Sequence, residues 1–268
     1  MSTLVPTLFA GLVDDASLLP PSFISLPDAV AKHAEHRAAW FARLLGPLLV
    51  PASAIGVELP AGELPVALEK LRASGAVVLH LEAPVARRGE DPQPGLAGLR
   101  TLAINDKDLE VYAEIPLSWG LLSALDTVAE CRADGLRLSP KFRVGGLAAE
   151  LFPTPVELAA VLCACRDREL SFRLAAGLRH AIRHTDPETG FTHHGFLNVL
   201  AASILAIGGA EVAEVAEVLA ATHPVPLVEP ARQRRDDTRP LFVGFGAANV
   251  VEPLTELVRL GLINGGPE

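Results

Sequence analysis

Residues 136–146 read LRLSPKFRVGG, and the alternation within this stretch points to the architecture of the whole chain. Taken as a strand, it sets Arg137, Ser139, Lys141 and Arg143 on one face and Leu138, Pro140, Phe142 and Val144 on the other, because successive side chains point to opposite sides. One face is apolar and the other carries three potential cations. An unpaired buried charge is costly, so such a face is expected to line a site rather than fill a core. The stretch breaks at Gly145–Gly146. That leaves Lys141 and Arg143 near the carboxyl end of the strand, where parallel α/β folds hold their chemistry.

Working outward, β-like runs alternate with helical ones. Residues 1–25 read as an irregular lead-in. A helix is expected over 27–45, entered at Pro27 and left at Gly46, then a strand at 48–51 and a helix at 62–74. Strands follow at 77–82, 99–104 and 110–116, with a loop at 86–97. Next come a helix at 119–133, the strand at 136–144, a helix at 154–168 opened by Thr154–Pro155, and a strand at 171–177. A polar loop then runs to about residue 190. Two helices over 195–222, a charged linker at 230–239, a strand at 241–245 and a helix at 249–260 complete the pattern. Strands alternating with helices indicate βαβ units and a parallel sheet. Strands of an open doubly wound sheet read as continuous apolar runs, whereas these alternate. The expectation is therefore one domain, residues 1–268, folded as a single (β/α)8 TIM-type barrel.

Half of the 268 residues are hydrophobic and the formal net charge is −9. An acidic chain lacks the basic stripe that nucleic acid or an anionic membrane needs. No run reaches the roughly 18 apolar residues of a membrane span, and 196–207 reads as a buried helix. The N-terminal stretch lacks a basic region followed by an apolar run and a cleavage site. Cys131, Cys163 and Cys165 are odd in number and match no zinc spacing, which indicates reduced thiols and a cytoplasmic protein. A homodimer is in keeping with such a barrel.

The same alternation recurs in other strands. His80 and Glu82 share a face opposite Val77, Leu79 and Leu81, Tyr112 and Glu114 oppose Val111, Ala113 and Ile115, and Arg173 opposes Phe172 and Leu174. If these polar faces point inward, one cavity collects His80, Glu82, Tyr112, Glu114, Lys141, Arg143 and Arg173. Two carboxylates then meet three cations, and a bound phosphate or carboxylate balances the surplus, held bidentately by arginine. The bland alternative is a self-satisfied ion-pair network that plugs the barrel. Lys141 itself has three readings. It forms a Schiff base, its pKa lowered by Arg143 and desolvation; it acts as a general acid or base with Glu114; or it is only the counter-ion of Glu82 or Glu114.

Four of the eight histidines fall in GLRHAIRHTDPETGFTHHG, residues 177–195. His180, His184, His193 and His194, with Asp186 among them, read as a divalent-metal site, as acid/base or substrate-contacting groups through His180 or His194, or as a solvated loop. His180 is the best single candidate. His33 and His36 lie on a polar helix face and read as surface groups. Gly244, Gly246 and Asn249 stand where the last strand turns into the last helix, a place suited to an anion, or to a plain tight turn.

Together, Lys141-Phe-Arg143-Val-Gly145-Gly146, Gly177-Leu-Arg-His180 and His193-His194-Gly195-Phe-Leu-Asn198-Val resemble an uncharacterised family of bacterial (β/α)8-barrel proteins. The resemblance spans most of residues 8–262 and implies the fold without an activity. More loosely, a lysine near a strand end with carboxylates on neighbouring strands is similar in architecture to class I, Schiff-base aldolases, an architecture that hosts many chemistries. The expected function is an enzyme of lyase or isomerase type acting on a small anionic carbonyl compound, with no cofactor. Lys141, Glu114 and His180 are its catalytic groups. Arg143, Arg173, His80, Glu82, Tyr112, His194, Gly244, Gly246 and Asn249 are its substrate contacts. A metal-dependent hydrolase built on the histidine loop and a non-catalytic binder of a small anion are the alternatives.

Overall fold

The protein is described from a computed structural model, which covers residues 4–55 and 64–265. Seven parallel strands form one sheet in the order β2-β1-β9-β6-β5-β4-β3. In chain order they are β1 (Val13–Asp15), β2 (Leu45–Leu48), β3 (His80–Pro84), β4 (Glu110–Glu114), β5 (Leu138–Arg143), β6 (Phe172–Ala175) and β9 (Phe242–Ala247). A short antiparallel hairpin, β7 (His184–Thr185) and β8 (Thr192–His193), stands apart from them. The helices are α1 (Leu26–Ala38), α2 (Leu64–Ala73), α3 (Gln93–Asn105), α4 (Leu121–Ala133), α5 (Pro155–Asp167), α6 (Phe196–Ile207), α7 (Val212–Ala220), α8 (Val225–Gln233) and α9 (Val251–Arg259).

The sheet curls into a half-barrel of seven strands, and among the described residues no eighth strand closes it. Two features of the described residues account for this. No ladder joins β2 to β3, and three helices follow β6 before β9 without a sheet strand among them. The curl itself is visible in the side chains. Asp14 of β1 and His80 of β3 come close together although four strands lie between β1 and β3 in the sheet order.

Helix boundaries follow local chemistry. At α5 the Thr154 hydroxyl accepts the Glu157 N–H, the Glu157 carboxylate accepts the Thr154 N–H, and Pro155 fills the first turn, a complete capping box. At α1 the Ser25 hydroxyl accepts the Asp28 N–H. Helix α6 is buried almost all round, as its apolar run, interrupted only by Asn198 and Ser203, requires. The aromatic core lies between the convex face of the sheet and the helices. Phe142, Phe172 and Phe242 stack along neighbouring strands at 5.9 and 5.7 Å, and Phe196 of α6 closes on Phe245 at 5.2 Å.

Several expectations are corrected. Residues 99–104 belong to α3 and not to a strand, because Leu96, Leu99 and Ala103 are buried at helical spacing, and the expected loop at 86–97 is already helical from Gln93. The lead-in is not irregular throughout: β1 sits inside the sheet, with Asp14 and Asp15 buried. Helix α1 stops at Ala38, and the chain then enters β2 three residues earlier than the expected strand, since Leu44 and Leu45 go into the core. Gly46 is therefore a strand residue and not a helix exit. Val77 and Leu79 precede the strand proper and lie exposed, because the unpaired edge at β3 leaves them uncovered. The charged linker is in part α8. Residues 62 and 63 of the expected helix at 62–74 lie outside the described residues.

These placements set a contrast that unfolding in urea can check. Phe172→Ala removes the middle of the aromatic row and should cost about 3–5 kcal/mol. Leu79→Ser, although it removes an equally apolar side chain, should stay within about 0.5 kcal/mol.

Candidate functional site

The strand registers place the charged residues before any side chain is considered. Glu114 pairs with Lys141 across β4 and β5, and Lys141 with Arg173 across β5 and β6. In the curled sheet these side chains turn into the concave interior and form one chain of alternating charge. Arg173 pairs with Asp14 and lies 3.8 Å from Glu82. The Lys141 ammonium donates to Glu82 and to Glu114, each at 2.9 Å. Glu114 then accepts from Arg143 Nε at 3.1 Å. His80 approaches Glu82 at 3.3 Å and meets Tyr112 edge-on at 5.2 Å. The Arg173 guanidinium lies 5.2 Å from the centre of the Tyr112 ring, a cation–π distance.

Asp14 was not among the candidates, since Val13–Asp15 is too short and too closely followed by Pro20–Pro21 to read as a strand. Its carboxylate alters the charge count: three acids, Asp14, Glu82 and Glu114, meet three cations, Arg173, Lys141 and Arg143. The expected surplus of positive charge inside the cavity is therefore absent from this group. Arg173 reaches Asp14 because β9, which runs between β6 and β1, carries Gly244 there. A Cβ at Gly244 would fall 2.8 Å from Arg173 Nη2. On β2, a Cβ at Gly46 would fall 2.0 Å from Asp14 Oδ1. Gly244 thus makes room for an ion pair inside a strand and does not form a phosphate-binding turn. Gly246 also lies within β9, beside Leu49 and Ala16.

The protonation states follow from the pairing. Burial pushes Asp14 up to about 6 despite Arg173. Burial also opposes ionisation of Glu82, but His80 and Lys141 outweigh it and hold Glu82 down at about 2. For Glu114, Lys141 and Arg143 outweigh burial in the same way and lower it. Burial alone would lower Lys141, yet its two carboxylate partners raise it above the ordinary lysine value. The expected lowering of its pKa by Arg143 is thereby corrected: Arg143 is spent on Glu114, and Lys141 stays an ammonium.

A cleft of about 920 Å³ opens at the carboxyl ends of β4 and β5. Glu114 and Arg143 line it together with Arg88, Ser118 and Trp119, whereas Lys141 does not. Lys141 stands behind Glu114. The Arg143 side chain is 46 % exposed and makes no ion pair among the described residues except with Glu114.

The remaining candidates lie elsewhere. His180 shares a shallower hollow with Glu252 and Glu256 of α9, and its Nδ1 contacts Glu256 at 2.7 Å. His194 is buried. Its Nε2 donates to the Pro153 carbonyl at 2.8 Å and its Nδ1 accepts from Arg183 at 3.3 Å; burial pushes it down to about 4. Asn249 accepts the Val251 N–H at the start of α9. His180 meets His184 edge-on at 4.4 Å and His184 stacks on His193 at 5.2 Å, but His194 is turned to Pro153 and Arg183, so the four-histidine metal set is not assembled. His33, expected on the surface, contacts Asp15 at 3.1 Å. Cys131, Cys163 and Cys165 are free and buried. No helix among the described residues is long and apolar enough to cross a membrane.

One donor group among the described residues has metal-like spacing: Asp14, His80 and Glu82 each offer an atom within 4.8 Å of the others. The donor types suit a divalent ion, but their charge is already met. Arg173 holds Asp14, Lys141 holds Glu82, and Arg239, whose donors go to the carbonyls of Ala10 and Val243 at 2.8 and 3.0 Å, adds a further cation close to Arg173 and Asp14.

Two measurements check this network. Gly244→Ala should displace Arg173 and cost about 1–3 kcal/mol, while Gly98→Ala, with open space around its Cβ position, should be neutral or slightly stabilising. The second is a pH series. Between its folded value of about 2 and its ordinary 4.5, Glu82 takes up a proton more readily when the chain is unfolded, so its contribution is present above 4.5 and is lost as pH falls towards 2. Asp14 has the opposite sign, because the folded chain keeps its proton between 3.8 and about 6, so that contribution declines as pH rises through that window. Urea midpoints should follow both slopes; Glu82→Gln should remove its share of the acidic one, leaving that of Glu114, and lessen the Asp14 slope, since Glu82 helps to raise Asp14.

No model of a known protein family matches the chain, and no curated protein matches it either; a reading of function rests on the arrangement of these residues.

Proposed function

We propose that the chain is an enzyme that moves a proton on a small anionic carbonyl compound, an isomerase- or lyase-type reaction carried out in the cleft at the carboxyl ends of β4 and β5. The observation that carries this reading is the open end of the charge chain. Arg143 is the last cation of the series Asp14–Arg173–Glu82–Lys141–Glu114–Arg143, and it ends in the cleft with part of its guanidinium fork unused. An anion is the next member that would continue the alternation, and the fork suits a carboxylate or phosphate.

Glu114 is the group placed to take the proton. It lines the cleft, and its two cationic partners keep it ionised. Lys141 is a positioning residue on this reading: its ammonium orients Glu114 from behind and does not touch the substrate. An imine at Lys141 is disfavoured, since the amine is both protonated and screened from the cleft by Glu114. His180 and His194 take no part. The curled sheet is read as an opened barrel of the (β/α)8 kind, with the site at the carboxyl ends where such barrels act. Three free thiols suit a cytoplasmic enzyme.

Exchange of substrate α-protons in D₂O, followed by NMR, tests the reaction without knowledge of the product. A panel of 2-oxo acids and phosphorylated ketones should include compounds whose α-protons exchange only with the protein present. Glu114→Gln should lower that exchange by about 10²–10⁴-fold. Lys141→Met should retain some exchange but move the acid limb of its pH profile upward, because Glu114 loses the cation that lowers its pKa. Borohydride should leave no adduct on Lys141. Saturable binding without exchange for any compound would favour a binding protein, and a trapped adduct at Lys141 would restore the imine mechanism.

A further inference from the structure

The cleft is much larger than a small carbonyl acid requires. Its volume of about 920 Å³ falls near the top of the roughly 300–1,000 Å³ that pockets for drug-sized ligands occupy. Its polar groups include the Glu114–Arg143 pair. Pro116, Trp119, Leu122, Leu151, Phe152 and Val161 give the wall an apolar part, and Arg88, Asp91, Ser118, Ser123, Glu150 and Glu157 complete the lining. Trp119 is 70 % exposed and Leu122 57 % exposed, so a large indole and an aliphatic side chain stand together in solvent at the rim. A contiguous exposed apolar patch beside a polar group is the signature of a ligand surface. The glycine pair that ends the lead stretch helps to build it: a Cβ at Gly146 would meet the Leu151 side chain, and Leu151 would have to shift its methyl on the wall.

The charges in the cleft say which end of a ligand goes where. Asp91 accepts the Gln93 N–H, and Glu157 is closed into the cap of α5, while Glu150 stands exposed. Arg88 gives one N–H to the Leu117 carbonyl at 3.1 Å. Arg143, with donors beyond the one it gives to Glu114, is the cation that stands directly beside the half-buried carboxylate that would do the chemistry. An anionic head is therefore drawn to Arg143, and whatever the head carries lies along Trp119 and its apolar neighbours.

We propose that the ligand of this cleft is an amphipathic organic acid, with a carboxylate head at Arg143 and an apolar, ring-sized body packed against Trp119. This inference rests on the cleft being the site, and it adds the class of molecule that fills it. The body contributes through burial of apolar area on both partners and through the face of the indole. A two- or three-carbon acid would leave that wall wet.

Three probes separate head from body: pyruvate has the head alone, phenylpyruvate has both, and phenylacetone has the ring and carbonyl without the charge. Binding is read by calorimetry on the full chain. Phenylpyruvate should bind at least about tenfold more tightly than pyruvate, as burial of a phenyl-sized group implies, and more tightly than phenylacetone. Trp119→Ala, at an exposed position, should abolish most of the phenylpyruvate-to-pyruvate affinity ratio. Arg143→Gln should weaken both acids and leave phenylacetone unaffected. Equal binding of pyruvate and phenylpyruvate, or an unchanged ratio in Trp119→Ala, overturns the amphipathic assignment; if Arg143→Gln still weakens both acids, the cleft itself survives. If Arg143→Gln changes neither acid, or phenylpyruvate does not bind, the cleft reading falls with it.

Discussion

Arg173 has to cross a strand to find its counter-ion, and the interior of the protein is arranged around that reach. It stands on β6, Asp14 on β1, and β9 runs between them with Gly244 at the crossing. Any side chain there would displace the guanidinium. Left alone in the interior, Arg173 would carry the cost of an uncompensated buried charge, about 3–5 kcal/mol for a broken pair. Paired, it neutralises Asp14, approaches Glu82 and packs on Tyr112. Glu82 in turn helps to hold Lys141, and Lys141 helps to hold Glu114. The order of charges at the mouth is thus tied to a glycine on the far side of the sheet.

Such a network is a poor way to stabilise a fold, since apolar side chains of similar volume do as well or better. The convex face shows that this chain has the apolar alternative available: its aromatic and aliphatic core is continuous from α6 through β9, β6 and β5. The ionic chain stays on the concave face and leads to a wall with a large cleft. Its inner members are paired on both sides, and its two ends, Asp14 and Arg143, each have one ion-pair partner. Asp14 ends in the buried interior and Arg143 in the cleft, and that asymmetry separates a site from a plug.

Much of this was legible in the residues, and the gaps have physical causes. The strands at 110–116 and 136–144 alternate cleanly because one face packs and the other is ionic, so Glu114, Lys141, Arg143 and Arg173 could be assembled without a structure. Asp14 could not. Its strand is three residues long, too short for alternation to register, and its partner lies 159 residues away along the chain. Residues 99–104 misled because Leu, Ala and Ile suit either a strand or a helix, and the deciding spacing begins at Leu96. Trp119 and Arg88 lie on loops, where no periodicity reports which way a side chain turns. The histidine loop attracted attention by composition, yet hydrogen bonds send His194 to Pro153 and His180 to Glu256. Density of a residue type in sequence does not bring its rings to one centre.

The arrangement also bears on how a carboxylate held below its ordinary pKa could act as a base. With the cleft empty, Glu114 shares its charge with both Lys141 and Arg143; it is reliably ionised but weakly basic. An anion docking on Arg143 competes with Glu114 for the same guanidinium. Weakening that contact removes part of the stabilisation of the charged form, so the affinity of Glu114 for a proton rises. Desolvation as the cleft fills works in the same direction. On the proposed reading, substrate binding would itself raise the basicity of the group that acts on it. Lys141, paired on its other side with Glu82 and out of reach of the ligand, would keep Glu114 oriented throughout.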